Sequence, residues 1–275
     1  MGSVPNLLGE FLRARRELTR PEDHGLPVGR RRVPGLRREE VAMLAGISAE
    51  YYLRLERGRD RHPSPQVVAA LARVLDLDEE STAYLASLAQ PPPRPRRRTR
   101  REPERVAPEI VRLLDAMRGV PAFVLGRCMD VLAHNREAEL LCGGVPGDGN
   151  VVRQVFLDPA ARELYPDWAE VAAETVAALR ASAAAAPDDP RLVALVGELS
   201  VKSPGFRKLW ARHDVRAKSA GAKRVVSPTV GEVTVRWETF AVTSAPGQML
   251  ITYFADPGSP SAEALAALQR LAARQ

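Results

Sequence analysis

The chain has 275 residues, 45% hydrophobic and 27% charged, with 40 Lys and Arg against 34 Asp and Glu for a formal net charge of +6. That length holds about two domains, and the apolar share suffices for a buried core, which excludes wholesale disorder and fibrous repeats. No run of ~18 apolar residues occurs, and Cys128 and Cys142 are too few for a disulfide framework and too far apart for a zinc or redox pair, so a reducing cytoplasm is expected, with no membrane span, secretion signal, metal or cofactor.

In chain order, apolar residues first recur at helical spacing in five short blocks. Leu7, Leu8, Phe11 and Leu12 make the first face, Val41, Leu44 and Ala45 the second, and Tyr52 with Leu55 the third. Val67, Val68, Leu71, Val74 and Leu75 make the fourth, and Tyr84, Leu85 and Leu88 the fifth. Start signals agree. Ser64 before Pro65 is an N-cap with proline at the first helical position, and Asp78, Glu79 and Glu80 put negative charge at a positive helix end. No strand alternation appears, so residues 1–89 are expected to form an all-α unit of five helices.

The second and third blocks carry a more specific signal in LRREEVAMLAGISAEYYLRLERG, residues 36–58. Ala42 is small where two helices cross closely, Gly46 sits where a left-handed turn residue is needed, Ile47 plugs the turn and Ser48 caps the next helix. A helix pair with such a turn is how a helix-turn-helix reader sets its second helix into a major groove. Tyr52 and Leu55 face inward and leave Ala49, Glu50, Tyr51, Leu53 and Arg54 outward. With these residues, 7–89 resembles the lambda-repressor-like helix-turn-helix domain of the XRE family of transcription regulators. The resemblance implies base reading chiefly by Ala49, Glu50 and Arg54, with Ser48 and Tyr51 beside them. By chemistry, Arg54 suits guanine, Glu50 the cytosine amino group and Ala49 a thymine methyl. One departure is the long connection Thr19 to Leu36. Its Arg30, Arg31 and Arg32 read either as a phosphate-contacting loop or as a solvated surface.

The basic excess is N-terminal. Residues 1–105 hold 21 Arg and 15 acidic residues, whereas residues 106–275 hold 19 of each sign. Residues 90–105 (QPPPRPRRRTRREPER) carry seven Arg and two Glu and read as an extended, solvated linker whose arginines also suit a phosphate backbone.

From residue 106 the pattern is mixed. Glu104 to Met117 reads as a helix, Phe123 to Leu125 and Asp130 to Ala133 as strands, and Asn135 as the cap of a helix through Leu141. A helical tract runs from Asp158 to about Arg212, broken at Pro166, at Pro187 to Pro190 and at Ser203-Pro204-Gly205. Val225 to Val226, Val230 to Val242 and Met249 to Ala255 read as a three-stranded meander, and Ser259-Pro260 opens a final helix bearing Leu265, Leu268 and Leu271. The sum is an α+β domain over 106–275, a five-stranded antiparallel sheet with helices against one face.

The segments DVLAHNREAELL, FLDPAARELYPDWAEVA, LVGELSVKSPGFRKLWARHDV and GEVTVRWETFAV resemble the MmyB-like ligand-binding domain over nearly all of 106–270. The resemblance implies a PAS-like fold with a hollow for a small apolar ligand such as a fatty acid. Residues that join an aromatic or polar tip to segments facing such a hollow are His134, Trp210, Arg212, His213, Trp237, Phe240 and Tyr253. His213 beside Asp214 also invites a catalytic reading, but no nucleophile motif accompanies it, and no catalytic residue is assigned. The expectation is a cytoplasmic regulator that binds an operator in double-stranded DNA as a homodimer, with repression as its default. Two rivals stay open: a constitutive dimeric repressor, and a hydrolase or transferase fused to a DNA-binding module.

Overall fold

In the computed structural model, residues 6–27, 35–90, 104–144, 149–183, 189–216 and 218–274 are described. The chain forms two units, one of Met1–Arg100 with Lys208–Arg216 and the other of Arg101–Arg207 with Ala217–Gln275.

The first unit contains α1 (Leu7–Leu18), α2 (Arg38–Ala45), α3 (Ala49–Glu56), α4 (Pro65–Val74) and α5 (Glu79–Ala89). Four of these helices begin on a side chain that accepts the amide three residues on: Asn6 from Gly9, Ser48 from Tyr51, Ser64 from Val67 and Asp78 from Ser81. Each such cap contributes about 1 kcal/mol. The α2–α3 turn closes as its sequence demands. Gly46 takes the left-handed conformation at φ 68°, and the Ile47 amide reaches back to the Ala42 carbonyl at 2.9 Å. The apolar blocks meet in one core of Phe11, Leu12, Leu36, Val41, Tyr52, Leu55, Leu71 and Leu85, all buried. Gly9 lets α1 cross α3 closely, since a Cβ there would collide with the Glu56 carbonyl. A single 3-10 turn, Pro21–His24, occupies the start of the long α1–α2 connection; Arg30, Arg31 and Arg32 lie outside the described residues.

The second unit opens with α6 (Pro108–Ala116), β1 (Ala122–Leu125), β2 (Val131–His134) and α7 (Arg136–Cys142). Next come α8 (Val151–Leu157), α9 (Ala161–Leu164), α10 (Trp168–Ala183), α11 (Pro190–Lys202) and α12 (Pro204–Trp210), whose residues from Lys208 on belong to the first unit. It ends with β3 (Ala220–Ser227), β4 (Gly231–Ala241), β5 (Met249–Phe254) and α13 (Pro260–Ala272). The five strands make an antiparallel sheet in the order β2-β1-β5-β4-β3. The expected breaks fall between α9 and α10, between α10 and α11, and between α11 and α12.

Three features depart from the sequence expectation. Helix α8 lies ahead of the predicted tract, started by Asn150, whose side chain accepts from Val152 and Arg153. Strand β3 begins five residues before Val225, where small and charged residues hide the pattern. Both sheet faces, not one, carry helices. Leu114 of α6 packs with Ala122, Val124 and Leu250, while the alternate residues Phe123, Ile251 and Tyr253 point to the opposite face. β1 is accordingly a continuous apolar run, AFVL, as a strand covered on both sides must be.

Candidate functional site

Two places bring chemistry-bearing side chains together, one in each unit. In the first, α3 buries Tyr52, Leu55 and Glu56 and leaves Ser48, Ala49 and Glu50 exposed, with Tyr51, Leu53 and Arg54 half-exposed. The face predicted to point outward does so. Its pose is set from beneath. Glu56 accepts from the Arg16 guanidinium of α1 and the Arg38 guanidinium of α2, each at 2.6 Å, and Arg16 also donates to the Leu36 carbonyl at 2.9 Å. Arg16 and Glu56 are buried, so this is a desolvated pair. The Asn6 amide group adds a bond to the Glu56 carbonyl at 2.7 Å.

On the outer side, Arg54 lies 3.6 Å from both Glu50 and Asp60, with its guanidinium 5.4 Å from the Tyr51 ring centre. Burial and Asp60 push the Tyr51 hydroxyl above its ordinary range, and Arg54 pulls it back. Ion pairs this exposed contribute roughly 0–1 kcal/mol, so Arg54 is aligned along the helix at little cost to its release toward a base or phosphate.

The second place is a cluster of aromatic rings and lysines on one face of the sheet. Gly221, Trp237 and Tyr253 stand directly opposite one another across β3, β4 and β5, and the Trp237 ring fills the space that a Cβ at residue 221 would need. Trp237 is 5% exposed, and its buried Nε1–H finds no acceptor among the described residues. Lys223 donates to the Tyr253 hydroxyl at 2.7 Å and lies 5.0 Å from the Tyr165 ring centre. Lys218 and Lys223 each place Nζ 5.9 Å from the Trp237 ring centre. Burial, and then the charge of Lys223, lower the Lys218 ammonium to about 7, against opposing pulls from Glu174 and Cys142. Burial pushes up the Tyr165 and Tyr253 hydroxyls and the Cys142 thiol. A cavity of about 150 Å³ between α10 and β3 is lined by Asp167, Glu170, Val171, Glu174, Ala222, Lys223, Arg224 and Thr234. Arg224 ties to Asp167 beside it through bonds of 2.8 and 2.6 Å.

Of the residues predicted for a ligand, the structure brings Trp237 and Tyr253 together. His134 shares their face by register but sits on β2, its Nδ1 3.2 Å from the Asn135 carbonyl. Phe240 pairs with Leu250 on the other face and is 52% exposed. Trp210, Arg212 and His213 fall in the stretch that packs with the first unit, where His213 meets Phe11 edge-on at 6.4 Å and Asp214 pairs with Arg212 and Arg15. Sequence reasoning missed Lys218, Lys223, Tyr165 and Cys142. A signal was present, because the chain contains only four lysines.

Among the described residues no helix is long and apolar enough to cross a membrane, and no group of His, Cys, Asp and Glu could hold a metal ion. Residues 7–85 match the family described as a helix-turn-helix domain. Residues 106–268 match the MmyB-like transcription regulator ligand binding domain. No curated protein matches the chain. A helix held with its outer side to solvent in one unit and a five-stranded sheet with helices in the other accord with these two families; with more than half its length inside the second, the chain belongs to the MmyB-like family and is a ligand-sensing helix-turn-helix transcription regulator.

Proposed function

We propose that the protein binds a specific operator as a homodimer, represses by default, and changes its hold on DNA when a small apolar ligand, a fatty acid being one class, enters the second unit. The observation that carries this reading is the solvent-facing side of α3, held by the buried Arg16–Glu56 pair and by Arg38 at its edge. Ala49, Glu50 and Arg54 read bases, with Ser48 and Tyr51 beside them. Arg30, Arg31 and Arg32 contact phosphates. One helix-turn-helix unit covers a single half-site, which supports a dimer on two of them. The parts are the reader, 1–89, the linker, 90–105, and the PAS-like sensor, 106–275. The five-stranded antiparallel sheet with its helices supports that last assignment. No catalytic residue is assigned. A reader of DNA works where the DNA is, in the bacterial cytoplasm and nucleoid.

Regulation then works by population shift: the ligand alters DNA affinity only as far as it binds the two arrangements of the protein unequally. The test is thermal unfolding of the purified chain with saturated fatty acids of graded length, followed by DNA binding with the best stabiliser present. A melting temperature that climbs with ligand concentration, together with weakened operator binding, is the expected result. Stabilisation without any change in DNA binding would reject ligand control.

A further inference from the structure

Two of the chain's four lysines meet at one buried tryptophan, in a protein that otherwise uses arginine, 36 times. Lys202 and Lys208, the other two, are exposed. Arginine would hold an anion better, because its planar fork grips a carboxylate at two points and keeps its charge when buried. Lysine at both half-buried positions supplies what arginine lacks, an amine that can shed its proton and attack carbon. The groups around it favour that state. Lys223 on β3 is engaged by the Tyr253 hydroxyl, and its charge opposes a second charge on Lys218; Glu174 on α10 and Cys142 on α7 act the other way. The balance leaves Lys218 at about 7, so that a large fraction of it is neutral near physiological pH. The Trp237 Nε1–H, nine-tenths buried and without an acceptor among the described residues, is a donor to which a carbonyl oxygen corresponds. The adjacent cavity of about 150 Å³ opens beside Lys223.

We propose that Lys218 is a covalent ligand site, at which an apolar aldehyde or ketone condenses reversibly to an imine beside Trp237 and Lys223. The Lys218 nitrogen lone pair attacks the carbonyl carbon and the carbon–oxygen double bond opens. The oxygen takes both amine protons and leaves as water, and a carbon–nitrogen double bond remains. Electrons and atoms balance without an oxidant or reductant. The Trp237 Nε1–H polarises the carbonyl, the Trp237 ring flanks Lys218, and the Tyr165 and Tyr253 rings lie beyond it around Lys223. This rests on the second unit being the sensor and names the chemistry of what it senses.

The test is incubation of the full chain with decanal near neutral pH, reduction with cyanoborohydride, and mapping of all four lysines by mass spectrometry. An ordinary lysine is only about 1 part in 2,500 neutral at pH 7, so Lys218 is expected to be labelled at least about tenfold more than Lys202 or Lys208. Lys218→Arg, checked for a native unfolding transition, removes that adduct, and Trp237→Phe slows its formation; if the arginine variant does not fold, the wild-type map decides alone. Equal labelling of the four lysines, or labelling of Lys223 in place of Lys218, overturns the proposal. Decanoic acid and decanol, tested in parallel by thermal shift, separate the two layers. Stabilisation by either without a Lys218 adduct rejects the imine and retains the sensor. No stabilisation by any of the three and no adduct rejects both.

Discussion

Glu56 closes α3 and is held on both oxygens, by Arg16 from α1 and Arg38 from α2. The pair contributes less to net stability than to placement, because burying two charges costs much of what their attraction returns. Removing one partner is another matter. Glu56→Ala leaves Arg16 buried beside an empty acceptor and is expected to destabilise the first unit by about 3–5 kcal/mol in urea unfolding, whereas a loss under about 1 kcal/mol would mean the cluster is not desolvated. Lys218 gives the residue scale a pH dependence. Its folded value lies below its unfolded one, so between about 7 and the ordinary lysine range the unfolded chain binds more protons. The penalty is therefore full at and below pH 7 and is relieved as pH rises through that window. Lys218→Met is expected to stabilise the second unit by roughly 1–3 kcal/mol near pH 6, discounted for the side chain's partial exposure, and by progressively less toward pH 10. A gain independent of pH would assign the effect to packing instead.

At the scale of elements, the α2–α3 turn depends on Gly46, whose φ of 68° costs a side-chain-bearing residue about 1 kcal/mol or more. Open space surrounds the position, so Gly46→Ala should lower stability by about that amount, while Gly46→Val, β-branched, should cost more; equal stability of both variants would contradict a backbone origin. The same turn shows why the first unit was legible in the sequence. Caps at Ser48, Ser64 and Asp78 and a left-handed glycine are local signals, readable within four residues. The second unit was legible where alternation is strong, as in VTVRWETF, and not where it is weak. AGAKR in β3 offers no β-branched residue, and Gly221 and Lys223 share the Trp237 face only because pairing with β4 puts them there. Strand register, not composition, brings Lys223 beside Tyr253, thirty residues away. Phe240 and Phe254 have the composition of a pocket lining, yet their parity turns them to the other face. His213 has a polar tip on a helical segment, but Phe11 and the company of Arg15 and Asp214 hold its stretch in the first unit.

For the whole molecule, charge and fold agree. Residues 1–105 carry the entire excess of positive charge, in the part of the chain that contains α3. Each phosphate neutralised releases condensed counterions, so operator affinity should fall linearly on a log–log plot against salt, with a slope near −0.9 per contact. Sensing adds a second linkage, since any ligand that prefers one arrangement shifts DNA affinity by its differential binding and no more. The most direct measurement is selection of bound duplexes from random DNA by the full chain and by Arg54→Ala, followed by affinities for the selected operator with each base pair changed in turn. The account predicts a defined two-half-site operator, and for Arg54→Ala a loss of about 1–3 kcal/mol confined to one position of each half-site. No selected sequence at all, or a selected operator that Glu50→Ala and Arg54→Ala both leave unchanged in affinity and preference, would contradict α3 as the element that reads DNA.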